Sequence, residues 1–435
     1  MKIFVTGATG FVGRALTNYL RSVGNDVHPF ARATDWNPDT GFINRERLEG
    51  CEAVIHLAGE NIASGRWTAA RKAKILDSRR KGTRLFSTAL ADLRHPPKAF
   101  ISASAIGYYG DRGEEILEEQ SGPGRGFLAE VCKEWESATS AAAANGIRVV
   151  QLRIGIVLSS EGGALPRMVT PFKLGAGGML GSGRQYMSWI TLNDLCRAVN
   201  HVATNETLVG PVNAVSPTPV TNRAFTSALA SVVCRPALIP VPRFALRLAL
   251  GELADDLMLA STRVMPVKLQ ESGFRFQDAD LSLALGKNVG PVSRLHKTLW
   301  IARPPEEVFP FFADATNLER ITPPWLHFQI VNPDVEMRRG TIINYKLHLR
   351  GVPLRWQSEI VEWEPPYRFV DVQRRGPYSL WIHEHRFEPH NGGTLVHDDV
   401  QYSAPGGALV RDLLIAPDLD SIFRYRKERL EQHFA

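Results

Sequence analysis

Three glycines near the N-terminus have the spacing and surroundings that bind a pyrophosphate. The segment TGATGFVG (6–13) follows the apolar stretch KIFVT and opens a helical pattern. Glycine permits a tight turn and the close approach of a phosphate, whose charge is attracted by the free N–H groups at the helix start. In this strand–turn–helix setting the segment predicts a dinucleotide site. The predicted cofactor contacts are Gly7, Thr9, Gly10, Phe11, Val12 and Gly13.

A basic residue ends the second predicted strand, DVHPFAR, at Arg32. An acidic residue at this place binds the ribose hydroxyls of NAD, whereas an arginine accommodates the 2′-phosphate of NADP. We therefore predict NADP(H) rather than NAD. Arg79, in the basic helical stretch 70–84, is a candidate for a second cation near the phosphates. A surface arginine on a solvated helix face is the competing interpretation.

Alternating strands and helices must position these residues. Four stretches are apolar nearly throughout, as strands buried on both faces are: KIFVTG, AVIHLAG, KAFISAS and RVVQLRIGIVL. Helical patterns lie between them, which predicts an α/β doubly wound, Rossmann-type parallel sheet. The segment 160–290 is more mixed and holds the glycine-rich KLGAGGMLGSGRQ. We predict that it forms a small substrate lobe.

The pattern changes near KNVGPVSR (287–294), which we interpret as a linker. Beyond it, short strands and turns alternate between a helical pattern at 304–323 and another at 408–434. A helix, antiparallel strands and a final long helix predict an α+β domain. The predicted domains are 1–290 and 295–435.

Composition excludes several classes of protein. The 435 residues suggest two or three domains, and a net charge of +6 without long basic runs gives no support for nucleic-acid binding. Four separated cysteines without a CxxC pair predict neither a disulfide framework nor a metal site, and favour a reducing compartment. No apolar run reaches about 20 residues. We predict a cytoplasmic protein with no membrane span.

Seven further motifs occur with the glycine segment in the first 290 residues: HLAGENI, SRRKGTRLF, SASAIGYYG, FLAEVCKEWE, LRIGIVLSSEGGAL, GSGRQYMSWITLNDL and GFRF. Together they resemble the extended short-chain dehydrogenase/reductase superfamily, and within it the atypical epimerase family. The resemblance implies NADP binding, with Leu57, Ala58 and Gly59 lining the cofactor, Arg79 near it and Ile156 at its nicotinamide end. Extended-type relatives are often dimers, so helices at 66–93 and 126–145 are candidates for a homodimer surface.

Residues 295–435 resemble the SRPBCC (START-like) ligand-binding superfamily. The motifs are PPEEVFPFFADATNLERITPPW, WIHEHRFEPHNGGTLVHDDVQYSAPGG and FRYRKERLEQHF. The resemblance implies a helix-grip fold, in which a curved antiparallel sheet holds a long C-terminal helix over a deep apolar cavity. Trp381, His383 and His385 alternate along one strand and share a face, so we predict that they line this cavity. Two histidines at this spacing can bind a metal, but no third ligand is evident, and no metal is predicted.

The superfamily's chemistry needs a proton donor that this chain lacks at the usual place. A serine binds the substrate oxygen, a tyrosine protonates it and a lysine lowers the tyrosine pKa. Ser104 matches the serine. The usual sequence separation from this serine places Phe127 or Leu128 at the tyrosine position, and Val131 or Cys132 at the lysine position. Tyr108 or Tyr109 is a candidate replacement; packing in the loop after Ser104 is the alternative role of both. Arg184 and Gln185 are candidates for contacting a polar or anionic substrate group.

Two hypotheses follow for the whole chain. The first is an NADP(H)-dependent oxidoreductase or epimerase-like enzyme acting on a small-molecule carbonyl or hydroxyl substrate, fused to a module that binds an apolar ligand. The second is a catalytically silent protein that senses NADP and holds a ligand. The missing tyrosine and lysine favour the second, and the retained Ser104 is compatible with both.

Overall fold

The computed structural model describes residues 1–233, 235–237, 239–289, 293–332, 335–403 and 410–435. Two compact units are present, one formed by residues 1–230 and 235–289 and the other by 231–234 and 290–435. We call them unit one and unit two.

Unit one is built on a six-stranded parallel sheet, which confirms the predicted Rossmann-type architecture. Its strands are β1 (Lys2–Thr6), β2 (Asp26–Pro29), β3 (Ala53–His56), β4 (Ala99–Ala105), β5 (Arg148–Ile154) and β6 (Gly210–Ala214). Their order across the sheet is β2-β1-β3-β4-β5-β6. The order reverses between β1 and β3, and ligands of such sheets bind beyond the carboxyl ends of the strands at this reversal.

Helices cover both faces of this sheet. The four longer ones used below are α1 (Phe11–Ser22), α2 (Ala69–Ala91), α3 (Phe127–Ser137) and α4 (Leu192–Thr204). Helices α1 and α4 pack on one face through an apolar core that includes Leu16 and Val199. Phe86 and Leu90 of α2 belong to a second core on the other face. Burial of both sheet faces explains why the strands are apolar throughout rather than alternating.

Smaller elements complete residues 1–289. The remaining helices are Arg45–Leu48, Ser140–Ala144, Leu165–Lys173, Asn222–Val233, Arg243–Leu250, Val267–Glu271 and Leu281–Val289, with single turns at Ile106–Tyr109 and Ala254–Leu259. Four two-stranded pairs join Trp36–Asn37 to Phe42–Ile43, Ile116–Leu117 to Arg263–Val264, Ile156–Leu158 to Trp189–Thr191, and Tyr186–Met187 to Val220–Thr221.

The predicted strand RVVQLRIGIVL is in fact two strands. The main sheet ends at Ile154, and the chain then pairs from Ile156 with Trp189–Thr191. The break lies at Gly155, where a Cβ atom would stand 2.8 Å from the backbone oxygen of Ser188. Glycine is therefore required where the two backbones approach this closely.

Unit two has the helix-grip architecture expected from the sequence. Its seven strands are β7 (Ser293–Ile301), β8 (Gln329–Ile330), β9 (Ile342–Leu349), β10 (Val352–Glu364), β11 (Arg368–Arg375), β12 (Leu380–His390) and β13 (Gly393–Ser403). They form one antiparallel sheet in the order β7-β13-β12-β11-β10-β9-β8. The helices are Pro305–Ala313, Asn317–Ile321 and α5 (Ala416–Phe434), with single turns at Pro324–Leu326 and Arg411–Ile415.

The first strand of unit two was not among the predicted strands, because part of it was interpreted as linker. Strand β7 is an edge strand whose residues alternate between exposed and partly covered along most of its length. Arg294 and His296 are exposed, and basic residues are common on sheet edges. These polar residues also made the segment resemble a loop in the sequence.

In the described part of the chain, no helix is long and apolar enough to cross a membrane. Cys51, Cys132 and Cys196 are buried free thiols. Cys234 lies outside the described residues.

Candidate functional site

The turn formed by residues 7–13, called the glycine turn, is so tight that only glycine fits at position 13. A Cβ atom on Gly13 would lie 2.0 Å from the backbone oxygen of Gly7. Gly7 has φ +68°, and its Cβ position is 3.1 Å from the backbone N of Ala58. Helix α1 begins after Gly10 with no side-chain cap, so its first N–H groups are available to an anion.

A buried polar contact fixes the neighbouring strand end against this turn. Thr6 Oγ1 accepts hydrogen bonds from the backbone N–H groups of Leu57 (3.2 Å) and Ala58 (3.3 Å) and lies 2.8 Å from His56 Nδ1. Burial lowers the pKa of His56 to about 3, so its imidazole is neutral at physiological pH. Residues 57–59 thus run directly beside the glycine turn, as the family resemblance implied.

Arg79 of α2 lies beside Gly59. The Cζ atom of its guanidinium is 3.4 Å from the Cβ position of Gly59 and 4.8 Å from the ring centre of Trp135. Its Nη1 donates to Ile75 O (3.2 Å), and among the described residues it has no carboxylate partner. Burial lowers the pKa of Arg79. Glu60 acts on Arg79 without bonding to it. A half-buried cation without a bonded carboxylate beside the predicted cofactor path favours the anion-binding role over the solvated helix face.

Arg32 is exposed at the carboxyl end of the sheet, beyond β2. Its side chain pairs with Asp39 at 3.0 Å, and 55% of the Arg32 side chain and 68% of the Asp39 side chain are exposed. An exposed pair of this kind contributes at most about 1 kcal/mol. A phosphate dianion can therefore replace Asp39 as the partner of Arg32 at small cost.

Ser104 is anchored by a buried ion pair that the sequence interpretation missed. Ser104 Oγ donates to Glu136 Oε1 at 2.7 Å. Arg153 of β5 binds the same carboxylate with two hydrogen bonds of 2.8 Å. Burial opposes the charge on Arg153, but Glu136 more than offsets this, and the net effect raises the pKa of Arg153. The only sequence signal was a pair of opposite charges in FLAEVCKEWE and LRIGIVL.

The two candidate tyrosines differ in their surroundings. Tyr109 is fully buried; its hydroxyl accepts from Arg153 Nη1 (2.9 Å) and lies 2.8 Å from Asn213 Oδ1. Burial raises the pKa of Tyr109 to about 12. This geometry makes Tyr109 a packing and hydrogen-bonding residue, against its prediction as a proton donor. Tyr108 is half-buried, with its ring 3.5 Å from the Arg153 Cζ atom, and it stays a candidate.

The positions that the usual sequence separation assigns to tyrosine and lysine hold apolar groups. Leu128 is buried, and the ring of Phe127 packs against Trp67. Burial, followed by the charge of Glu136, raises the pKa of Cys132 to about 12, although Arg79 opposes this. Cys132 is therefore a neutral thiol. Arg79 is the cation that acts on Cys132, one of the two positions where the lysine would stand.

A cleft of about 190 Å³ opens beside the N-terminus of α3. It is bounded by the loop after Ser104, by Leu128 and by residues of the predicted substrate lobe, among them Arg243 and Asp256. The Asp256 carboxylate accepts a long hydrogen bond from Leu128 N (3.4 Å), and burial raises the pKa of Asp256. Sequence reasoning did not single out Asp256, because nothing local marks it as a neighbour of α3.

The other lobe residues have different environments. Gln185 is buried and donates to Leu180 O (3.0 Å) and Met258 O (3.2 Å), so its amide holds the loop together rather than reaching a substrate. This corrects its predicted role. Arg184 is exposed and stays a candidate. Ile156 begins the short strand paired with Trp189, and Phe11 packs against Gly162 and Gly163 beyond that strand.

Unit two contains an apolar cavity of about 170 Å³ between its sheet and helices. Trp381, His383 and His385 all line it, in the place predicted for them. Both histidines are nearly fully buried, and burial lowers the pKa of His383 to about 4. Asp371 and Arg426 also line the cavity and give it one polar end.

Three segments of the chain match known protein families. Residues 3–214 match the NAD dependent epimerase/dehydratase family, residues 241–287 match a domain of unknown function (DUF1731), and residues 294–435 match the family described as polyketide cyclase / dehydrase and lipid transport. The epimerase family protein Mb2239 of Mycobacterium bovis is 41% identical over 291 residues, which are 65% of this chain and 96% of that protein. The epimerase family protein YfhF of Bacillus subtilis is 38% identical over 298 residues, covering 66% and 97% of the two chains.

Solved structures agree with this assignment. Human epimerase family protein SDR39U1, crystallised with NADPH, has a TM-score of 0.61 and 30% identity, covering 66% of this chain and 98% of its own. A nucleoside-diphosphate sugar epimerase from Corynebacterium glutamicum has a TM-score of 0.56 and 35% identity, covering 67% of this chain and 58% of its own. The chain therefore belongs to the epimerase family of atypical short-chain dehydrogenase/reductases, and carries a C-terminal unit of the polyketide cyclase type.

Proposed function

We propose that this chain is an NADP(H)-dependent oxidoreductase that transfers hydride to or from a small carbonyl or hydroxyl substrate. One observation carries the proposal: a continuous surface runs along the carboxyl ends of the strands. It is formed by the glycine turn, residues 57–59, Arg79 and the α3 residues beside Ser104. A nicotinamide cofactor laid along this surface, with its pyrophosphate at α1, has its reactive end beside Ser104. The binding of NADPH by the human relative supports the same cofactor here.

The cation that the family takes from lysine comes from Arg79 in this proposal. Its guanidinium approaches Gly59 on one side and acts on Cys132 on the other. It can hold the cofactor ribose or a phosphate, and its charge stabilises an alkoxide formed at the substrate. Ser104 donates its hydroxyl hydrogen to Glu136, so its oxygen can only accept a hydrogen bond, which fits the hydroxyl form of the substrate.

Tyr108 is the proposed proton donor. We expect Tyr108→Phe to lower kcat for NADPH-dependent carbonyl reduction by about 100- to 10,000-fold, as the loss of general acid catalysis does. The matched variant Tyr109→Phe removes a buried hydroxyl instead, and should cost about 1–3 kcal/mol of stability with a smaller effect on kcat. Steady-state kinetics on the best substrate of an aldehyde and ketone panel, with thermal unfolding of each variant, measures both.

Three outcomes would contradict parts of this proposal. Unchanged kcat in Tyr108→Phe would remove Tyr108 from the reaction. A loss confined to Asp256→Asn would move the donor role to the carboxyl group in the cleft. NADPH binding without turnover of any substrate would favour the second hypothesis, an NADP sensor, which the apolar groups at positions 128 and 132 support.

Unit two supplies a binding site for a small apolar molecule in this proposal. Its cavity of about 170 Å³ is similar in size to engineered cavities of about 150 Å³ that hold benzene. The size therefore favours a compact ring-sized ligand over a long lipid chain. Saturable binding of toluene in a calorimetric titration is the expected result; heat that shows no saturation would count against the site.

A further inference from the structure

The polar end of the cavity in unit two brings together two histidines and two aspartates from three neighbouring strands. His383 and His385 of β12 lie on the same face of the sheet. Asp371 of β11 is directly opposite His383, and Asp398 of β13 is directly opposite His385. No single segment of sequence contains this group, since it depends on the register of three strands.

Three of these side chains have the spacing of metal ligands. Asp371 Oδ2 lies 3.3 Å from His385 Nε2 and 3.7 Å from His383 Nδ1. One ligand atom from each of the three residues lies within 4.8 Å of the others. A tetrahedral ion with bonds of about 2.0–2.2 Å holds its ligand atoms about 3.3–3.6 Å apart. The two separations from Asp371 are close to these values before any adjustment.

Further residues hold these groups in orientation, as metal sites require. Ser358 Oγ lies 3.2 Å from Asp371 Oδ1, which leaves Oδ2 directed toward the imidazoles. His383 Nε2 lies 2.9 Å from Asp398 Oδ1, which leaves Nδ1 toward Asp371. His385 Nδ1 is 3.0 Å from the same Asp398 oxygen but has no aligned hydrogen bond within the described structure.

Carboxylates outnumber guanidinium groups at this end of the cavity among the described side chains. Two buried carboxylates, of Asp371 and Asp398, face one guanidinium, that of Arg426, whose Nη2 is 3.6 Å from Asp398. Arg426 is 9% exposed, and its Nε and Nη2 have no hydrogen-bond partner among the described residues. A divalent cation would more than offset the remaining negative charge, and the free donors of Arg426 would face an oxygen atom of a bound ligand.

We propose that Asp371, His383 and His385 bind one divalent ion of the first transition series, with an open coordination position facing the apolar cavity. Two imidazoles and one carboxylate form a donor set that suits Zn²⁺ or Fe²⁺. An ion there binds a ligand oxygen and polarises it, while the apolar walls hold the remainder of the molecule. Sequence analysis predicted no metal because the third ligand, Asp371, lies on a different strand.

Titration of the full chain with Co²⁺, after chelator treatment and dialysis, tests this proposal. We expect one Co²⁺ per chain with visible absorption bands of nitrogen and oxygen ligation, displaced by Zn²⁺. Asp371→Asn and His385→Gln should each weaken Co²⁺ binding at least about 100-fold, more than the effect of residues that only orient ligands. Circular dichroism and thermal unfolding show whether each variant has kept its fold.

An exposed histidine pair provides the matched control. His296 and Asp399 form a surface pair at 2.5 Å, where adventitious metal would bind, and His296→Gln should leave the Co²⁺ titration unchanged. Wild-type protein that shows no stoichiometric Co²⁺ bands would overturn the proposal without reference to any variant. Bands that survive in both cavity variants, or that vanish in His296→Gln, would overturn it as well.

Discussion

Gly13→Ala should destabilise unit one and nearly abolish nucleotide binding, although the same change in an ordinary helix is favourable. Alanine is about 1 kcal/mol better than glycine inside a helix. At this position the added Cβ would lie 2.0 Å from Gly7 O, a backbone atom that cannot rotate away. We expect a stability loss of about 1–3 kcal/mol. Displacement of the turn by this clash should weaken NADPH binding roughly 100-fold.

Thermal unfolding without nucleotide and a fluorescence titration with NADPH measure the two effects. Gly122→Ala is the matched control, because its Cβ would have no neighbour within 4 Å and its φ is not positive. That variant should behave as wild type in both assays. A Gly13→Ala protein with wild-type NADPH affinity would show that the turn does not form the pyrophosphate site.

Glu136→Gln should cost about 3–5 kcal/mol, the usual loss when one member of a buried ion pair is removed. Side-chain exposure is 3% for Arg153 and 13% for Glu136, so the guanidinium would keep its desolvation cost without its counter-charge. Glutamine has nearly the same shape as glutamate, so the loss of stability measures the missing charge rather than a change in packing. For a unit of this size the loss corresponds to a fall in Tm of about 10 °C.

Asp92→Asn is the appropriate comparison, since it breaks the Arg45–Asp92 pair, in which both side chains are about half exposed. Exposed pairs contribute below about 1 kcal/mol. Differential scanning calorimetry, with the transition of unit one identified by its rise on adding NADPH, distinguishes the two variants. Equal and small shifts would mean that the Arg153–Glu136 pair does not stabilise unit one.

The glycine turn was predictable because its determinants are local. The turn, the strand before it and the helix after it are consecutive in sequence, and their glycines are required by backbone geometry. Residues 57–59 and Ser104 were singled out through the family resemblance, and they lie at the ends of neighbouring strands. For the glycine turn and these strand ends, the order of strands and helices determines which residues lie close together.

The remaining site depends on contacts between distant segments. Glu136 and Arg153 are 17 residues apart on a helix and a strand, and only the packing of α3 on the sheet joins them. Asp256 reaches α3 from 128 residues away. Asp371 meets His383 through strand register, which a shift of one residue would abolish. Sequence patterns show the faces of such elements but not their partners.

The most direct test of the proposed cofactor site is a binding titration with NADPH, NADP, NADH and NAD on wild type, Arg32→Ala and Asp39→Asn. We expect wild type to prefer NADPH, and Arg32→Ala to weaken NADPH about 10- to 100-fold while NADH changes little, because a charge-assisted contact to the 2′-phosphate contributes about 1.5–3 kcal/mol. Asp39→Asn should bind NADPH at least as well as wild type, since it removes the competing carboxylate. Failure of wild type to bind any of the four nucleotides would contradict the assignment of the carboxyl ends of the strands as a cofactor site.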